Sequence, residues 1–293
     1  AAGDGGASVI KGARRVKDLI RNKAKGDSSR SQALLRHYAM ERFLERLANS
    51  PYRDNFVLKG GMLMSSLVGV DQRSTMDIDA TVKGLTLDTG NALKVVEEIA
   101  SVELDDGMEF QVGGAGEIME DSEYGGVRIA LTARMEKTRI PLKIDISTGD
   151  AITPAEVMHK YRLMFEDRDI GIWAYPVETV LAEKIETALA RGTLNTRMRD
   201  FYDVYMLREL DGDLEPSNLR AALEATIEKR DSGVSASSYA QTLSEIEDSA
   251  AMAERWRSYG LSNPYASSIA WLDAVGSLRL LCDACWQGAR ESD

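Results

Sequence analysis

The segment Thr75-Met76-Asp77-Ile78-Asp79 sets two carboxylates two residues apart within Met76 to Val82, a stretch whose alternation predicts a strand. Residues i and i+2 of a strand project from one face. Asp77 and Asp79 are therefore expected side by side, with Met76, Ile78 and Ala80 facing the core. Carboxylates held that close repel unless a cation lies between them. Mg²⁺ fits, being a hard ion bound by one or two carboxylates plus substrate phosphates, with Mn²⁺ as the alternative. Alone, an Asp-x-Asp is more often a polar strand face than a metal site. Two further features change that weighting. Upstream, a short strand over Phe56–Leu58 runs into Lys59-Gly60-Gly61 and then a helix over Met62–Val68. Glycine lets backbone approach an anion, and a helix N-terminus points free N–H groups at it. Downstream, Lys143-Ile144-Asp145-Ile146 puts another acid on one strand face and two isoleucines on the other. Three carboxylates behind a glycine pair suit metal-assisted transfer of a nucleotidyl group. Asp77 and Asp79 would hold one or two Mg²⁺ bridging a triphosphate. Asp145 would share a metal or accept the proton of the attacking hydroxyl.

These residues need a sheet and helices to position them. Ser29 with Gln32 reads as a capping box, opening a helix whose Leu34, Leu35, Tyr38, Ala39, Phe43, Leu44 and Leu47 recur at helical spacing. Asn49-Ser50-Pro51 closes it. Asn91–Ala100 reads as a helix, and Glu109–Val112, Val127–Thr132 and Pro141–Ile146 as strands of a mixed sheet. From Pro176 onward helices follow almost without interruption, ending in the stripe Trp271, Ala274, Leu278, Leu281, Cys285. The fold class is α/β (α+β), a mixed sheet flanked by helices and followed by an all-helical C-terminal domain. The expected organisation is a basic arm over 1–28, a core domain over 29–175 and a helical domain over 176–293.

The 293 residues are 44% hydrophobic and 28% charged, enough for a packed core of one or two domains. No run approaches the roughly 18 apolar residues of a membrane helix. The start Ala-Ala-Gly-Asp shows no signal peptide, so no membrane partner and a cytoplasmic location are expected. Two cysteines, Cys282 and Cys285, and two histidines, His37 and His159, leave little room for histidine-cluster or zinc chemistry. Cys282 and Cys285 read as core packing. His159, in a stretch read as a charged helix, reads as a bystander. The net charge is −11, divided as +7 over the first sixty residues and −18 over the rest. Such a chain is no general nucleic-acid binder and no specific DNA binding is expected. RNA could meet it through the cluster Lys11, Arg14, Arg15, Lys17, Arg21, Lys23, Lys25 and Arg30, whose plain alternative is a solvated helix.

Placed on a helical wheel, 177–190 has the apolar stripe Val177, Val180, Leu181, Ile185, Ala188 and Leu189, and Lys184 falls inside it. A lysine there needs a partner or loses its charge. A snorkelling stem or a buried ion pair, with Glu178 as partner, would satisfy it. The stretch holding Arg199, Asp200 and Asp203 is apolar nearly all round, so these charges are no plain solvated face. Arg199 and Asp203 at i, i+4 could pair.

The ordered set Lys59-Gly60-Gly61, Arg73-Ser74-Thr75-Met76-Asp77-Ile78-Asp79, Lys143-Ile144-Asp145, Leu181-Ala182-Glu183-Lys184 and Arg199-Asp200-Phe201-Tyr202-Asp203 resembles the nucleotidyltransferase superfamily. Its wording resembles the AbiEii/AbiGii toxins of type IV toxin–antitoxin and abortive-infection systems, the branch that includes the MenT toxins, over about residues 30–210. The resemblance implies a toxin that transfers NMP from an NTP to an acceptor hydroxyl, the tRNA 3′ end, blocking translation, and that is partnered by a cognate antitoxin. It implies catalytic roles for Asp77, Asp79, Asp145, Lys184 and Asp203, with Lys184 reaching the triphosphate and Asp203 lining the cleft. It implies nucleotide contacts from Gly60, Gly61, Thr75, Lys184 and Asp200, and metal ligation by Asp77, Asp79 and Asp145. Relatives also suggest silencing by phosphorylation near Ser74 and Thr75, where added negative charge would oppose the triphosphate. One departure stands out: the second glycine of the pair is often serine in the superfamily. The alternatives are an adenylyltransferase acting on protein or a small molecule, and a non-catalytic nucleotide-binding partner of an antitoxin.

Overall fold

The computed structural model describes Ile10 and residues 12–118, 126–210 and 214–287. The chain divides into two compact units, Ala1–Gly149 with Val157–Ala174, and Asp150–Glu156 with Tyr175–Asp293.

The first unit is built on one seven-stranded mixed sheet. Its elements are α1 (Ala13–Ala24), α2 (Ser28–Ala48), β1 (Phe56–Lys59), α3 (Gly60–Val68), β2 (Ile78–Val82), α4 (Thr89–Ala100), β3 (Glu109–Ile118), β4 (Gly126–Met135), β5 (Thr138–Thr148), β6 (Val157–Arg162) and β7 (Asp169–Ala174). The strand order is β3-β4-β5-β2-β1-β7-β6. β2 runs parallel to β5 and β1 parallel to β7; the remaining neighbours are antiparallel. In β4 and β5 the period-2 pattern buries Val127, Ile129, Leu131, Ala133 and Met135 alongside Ile140, Leu142, Ile144 and Ile146. The opposite face of β4 is left to water, the usual arrangement for antiparallel strands with one packed side.

Several local expectations are corrected. Asp27, not Ser29, caps α2, accepting the Arg30 N–H at 3.0 Å. The second strand begins at Ile78, after a bend at Met76 and Asp77. Alternation therefore does not extend to Met76, which is exposed with its sulfur against Arg36 rather than in the core. β6 lies where a charged helix was expected around His159, which therefore stands on a strand. The basic stretch read as an arm is, over Ala13–Ala24, a helix that buries Ala13, Val16, Ile20 and Ala24 and packs on α2. Lys11 lies outside the described residues.

The second unit contains α5 (Val177–Arg191), α6 (Met198–Leu210), α7 (Pro216–Arg230), α8 (Tyr239–Asp248), α9 (Ala250–Ser262) and α10 (Trp271–Trp286). The expected stripe of α10, Trp271, Ala274, Leu278, Leu281 and Cys285, is buried throughout. Phe201, Trp256, Tyr259 and Trp271 are linked by tilted ring contacts. Cys282 and Cys285 are free and buried, and burial raises both thiol pKa values. Asp150–Glu156 belongs to this unit because Tyr175 donates to Asp150 at 2.6 Å and Thr179 bonds Thr153 through its hydroxyl. No helix among the described residues is long and apolar enough to cross a membrane.

Candidate active site

In the first unit, β1 and β2 pair so that Lys59 lies opposite Asp79, and the parallel β2–β5 pair sets Asp79 opposite Asp145. Register partners share a face, so the two acids are neighbours although 66 positions apart in the chain. Gly60, at φ +63°, turns the end of β1 into α3, and the Gly61 N–H donates to Asp79 Oδ2 at 3.2 Å. The close approach requires both glycines. A β-carbon on Gly60 would stand 2.1 Å from Asp79 Oδ2, and one on Gly61 would stand 2.1 Å from Thr75 Oγ1.

Burial, opposed by the Gly61 hydrogen bond, pushes the Asp79 carboxyl up to about 6. Repulsion from Asp145 and Asp77 pushes the same way, and Lys59 pushes against it. Lys59 also donates to Ser147 Oγ at 2.8 Å. Asp77 sits half-buried at the mouth of β2, and Thr75, which is buried, donates to its carbonyl at 3.3 Å. Asp145 gives both carboxylate oxygens to Arg128 of β4, from Nε at 2.7 Å and Nη2 at 2.6 Å. Among the described residues no three His, Cys, Asp or Glu side chains are grouped to hold a metal ion. The structure thus brings Asp79, Asp145, Gly60, Gly61 and Thr75 together, with Asp77 adjoining and Asp145 engaged by an arginine. The donors are hard oxygens whose mutual repulsion a divalent cation would relieve, and this chemistry fits Mg²⁺ held by Asp77 and Asp79.

In the second unit, Lys184 of α5 lies between two acids of α6, with Nζ 2.9 Å from Asp200 Oδ1 and 2.8 Å from Asp203 Oδ2. Asp203 is fully buried. Two expectations change here. The partners of Lys184 on α6 take the place foreseen for Glu178. Asp203 pairs across the helices to Lys184, because α6 turns it into the α5 interface while Arg199 is exposed.

The model of the family described as nucleotidyl transferase AbiEii toxin, type IV TA system, matches residues 42–273. The chain belongs to this family of nucleotidyltransferase toxins. Among solved structures it is similar to a candidate nucleotidyltransferase from Helicobacter pylori, at 17% identity and TM-score 0.50, covering 89% of this chain and 98% of that one. It is also similar to JHP933 from H. pylori, at 17% identity and TM-score 0.49, covering 89% and 96%. No curated protein matches the sequence. This AbiEii chain is a nucleotidyltransferase of a type IV toxin–antitoxin family. Its glycine in place of the superfamily serine has a local reason: the Thr75 hydroxyl occupies the space that a side chain at 61 would fill.

Two residues at the acidic cluster escaped sequence reading. Lys59 lies in the glycine motif, and the strand before it could have marked it as an opposite number to Asp79. Arg128 carries no local signal, since only the β4–β5 register aligns it with Asp145.

Proposed function

We propose that this AbiEii toxin transfers NMP from an NTP to the 3′ hydroxyl of tRNA, releasing pyrophosphate and blocking translation. The observation that carries the reading is the register of Asp79 with Asp145 beside the Gly60–Gly61 turn. Asp77 and Asp79 would hold Mg²⁺, which when bound neutralises charge on the triphosphate. The Gly60–Gly61 turn brings the α3 N-terminus, where free N–H groups favour a phosphate oxygen, against the Asp79 carboxylate. The register of Asp145 opposite Asp79 supports giving it a part in the acidic set. Within the second unit, Lys184 is the family-motif lysine, and Asp200 and Asp203 hold its ammonium in place. Support for a type IV antitoxin partner comes from the family.

The test incubates the protein with each α-labelled NTP, Mg²⁺ and total tRNA, beside Asp77→Ala and Lys184→Ala. Label in RNA for the parent and in neither variant is the expected result. Label in protein instead would replace tRNA by a protein acceptor. No label anywhere, from folded protein that binds NTP, would sink the transfer reading.

A further inference from the structure

Asp145 has a different neighbour on each side. Across the parallel β2–β5 pair lies Asp79, and across the antiparallel β4–β5 pair lies Arg128. The Arg128 guanidinium grips it through Nε and Nη2 at 2.7 and 2.6 Å, one nitrogen to each oxygen. A carboxylate held in this bidentate way has its charge matched and its lone pairs directed at the arginine. The same oxygens cannot then be given in full to a metal.

We propose that Arg128 is a positioning residue of the metal site, holding Asp145 in the absence of a divalent cation and competing with that cation for the carboxylate. The inference rests on the metal reading above. Asp79 and Asp145 face each other across the β2–β5 register and repel without a cation, and pairing Asp145 with Arg128 offsets that repulsion. The two partners differ in freedom. The Arg128 side chain is 44% exposed and can turn into water, whereas that of Asp145 is 19% exposed on an inner strand. The guanidinium is therefore the member that moves, and Asp145 joins the ion as Arg128 releases it.

The experiment measures Mn²⁺ binding to the whole chain without nucleotide, from the free-Mn²⁺ electron paramagnetic resonance signal. Removing a competing charge-assisted bidentate contact by Arg128→Gln should tighten Mn²⁺ binding about ten-fold. Arg128→Lys, which keeps the charge and loses the fork, should fall between. In an Asp145→Asn background Arg128→Gln should change nothing. Unfolding midpoints of all variants are recorded alongside, and Arg128→Lys serves if Arg128→Gln does not fold. Mn²⁺ binding that is unchanged or weaker in folded Arg128 variants overturns the proposal. So does tightening that persists with Asp145→Asn, because it would be a general field effect. If the parent binds Mn²⁺ and Asp79→Asn abolishes it while Arg128 makes no difference, the metal reading stands and this inference falls. If no form binds Mn²⁺, both fall.

Discussion

At the scale of single residues, the chemistry depends on groups held where water would rather have them. Lys184, set in an apolar helix face, is met by two carboxylates. The wheel showed that it needed a partner. It could not show which, since α5 and α6 pack against each other only in the folded chain. His159 gives the reverse lesson. Read as a bystander, it accepts or donates at 2.7 Å to Ser66 Oγ and packs edge-on against Tyr161. Burial lowers its pKa below the ordinary value, opposed by Asp169. A histidine whose folded pKa is lowered takes up its proton first in the unfolded chain. Stability present above about pH 6.5 is thus lost as pH falls through the folded value. Urea unfolding from about pH 7.5 down to about pH 5 should show the parent losing stability relative to His159→Gln over that window. Parallel pH profiles for the two proteins would refute this.

At the scale of elements, α2 shows where periodicity misleads. Its apolar residues were legible, yet the helix also buries Glu41, Arg42, Glu45 and Arg46. Arg42 meets Glu45 at 3.0 Å and Glu166 at 3.2 Å, and Arg168 joins both of those acids. Arg46 forks onto Asp106 at 2.7 and 3.0 Å and reaches the Met108 carbonyl at 2.7 Å. Losing one member strands a buried charge. Arg46→Met should therefore cost about 3–5 kcal/mol in denaturant unfolding, and Arg46→Met with Asp106→Asn should recover much of it. A loss below about 1 kcal/mol would show the pair to be solvated. β6 and β7 were missed for a related reason. β6 is charged, short and borders the sheet on one side only, so it lacks the strong apolar alternation of β4 and β5, whereas β7 buries Ile170, Ile172 and Ala174 in alternation over a stretch of only 6 residues.

At the scale of the whole molecule, charge separates the surface that can meet an anion from the acidic remainder. The chain carries −11 overall, yet the outer side of α1 exposes Arg14, Arg15, Lys17 and Arg21. Lys17 lies 3.9 Å from Glu136, and Lys23 with Arg30 of α2 binds Asp71, six residues before Asp77. Neutralising Arg14, Arg15 and Lys17 together should weaken tRNA binding by fluorescence anisotropy and flatten its salt dependence by about one unit per lost phosphate contact. NTP affinity should hold. Unchanged RNA affinity would move the acceptor surface elsewhere.

The sequence by itself determined the acids, the glycine pair, the order of the motifs and the split between a sheet-bearing front and a helical back. These are properties of spacing and periodicity, which act within a few residues of one another. Only the tertiary structure decided that Asp79 stands beside Asp145, that Arg128 holds Asp145, and that Lys184 answers to Asp200 and Asp203. Strand register and helix packing create those contacts between residues far apart in the chain, where no local pattern records them.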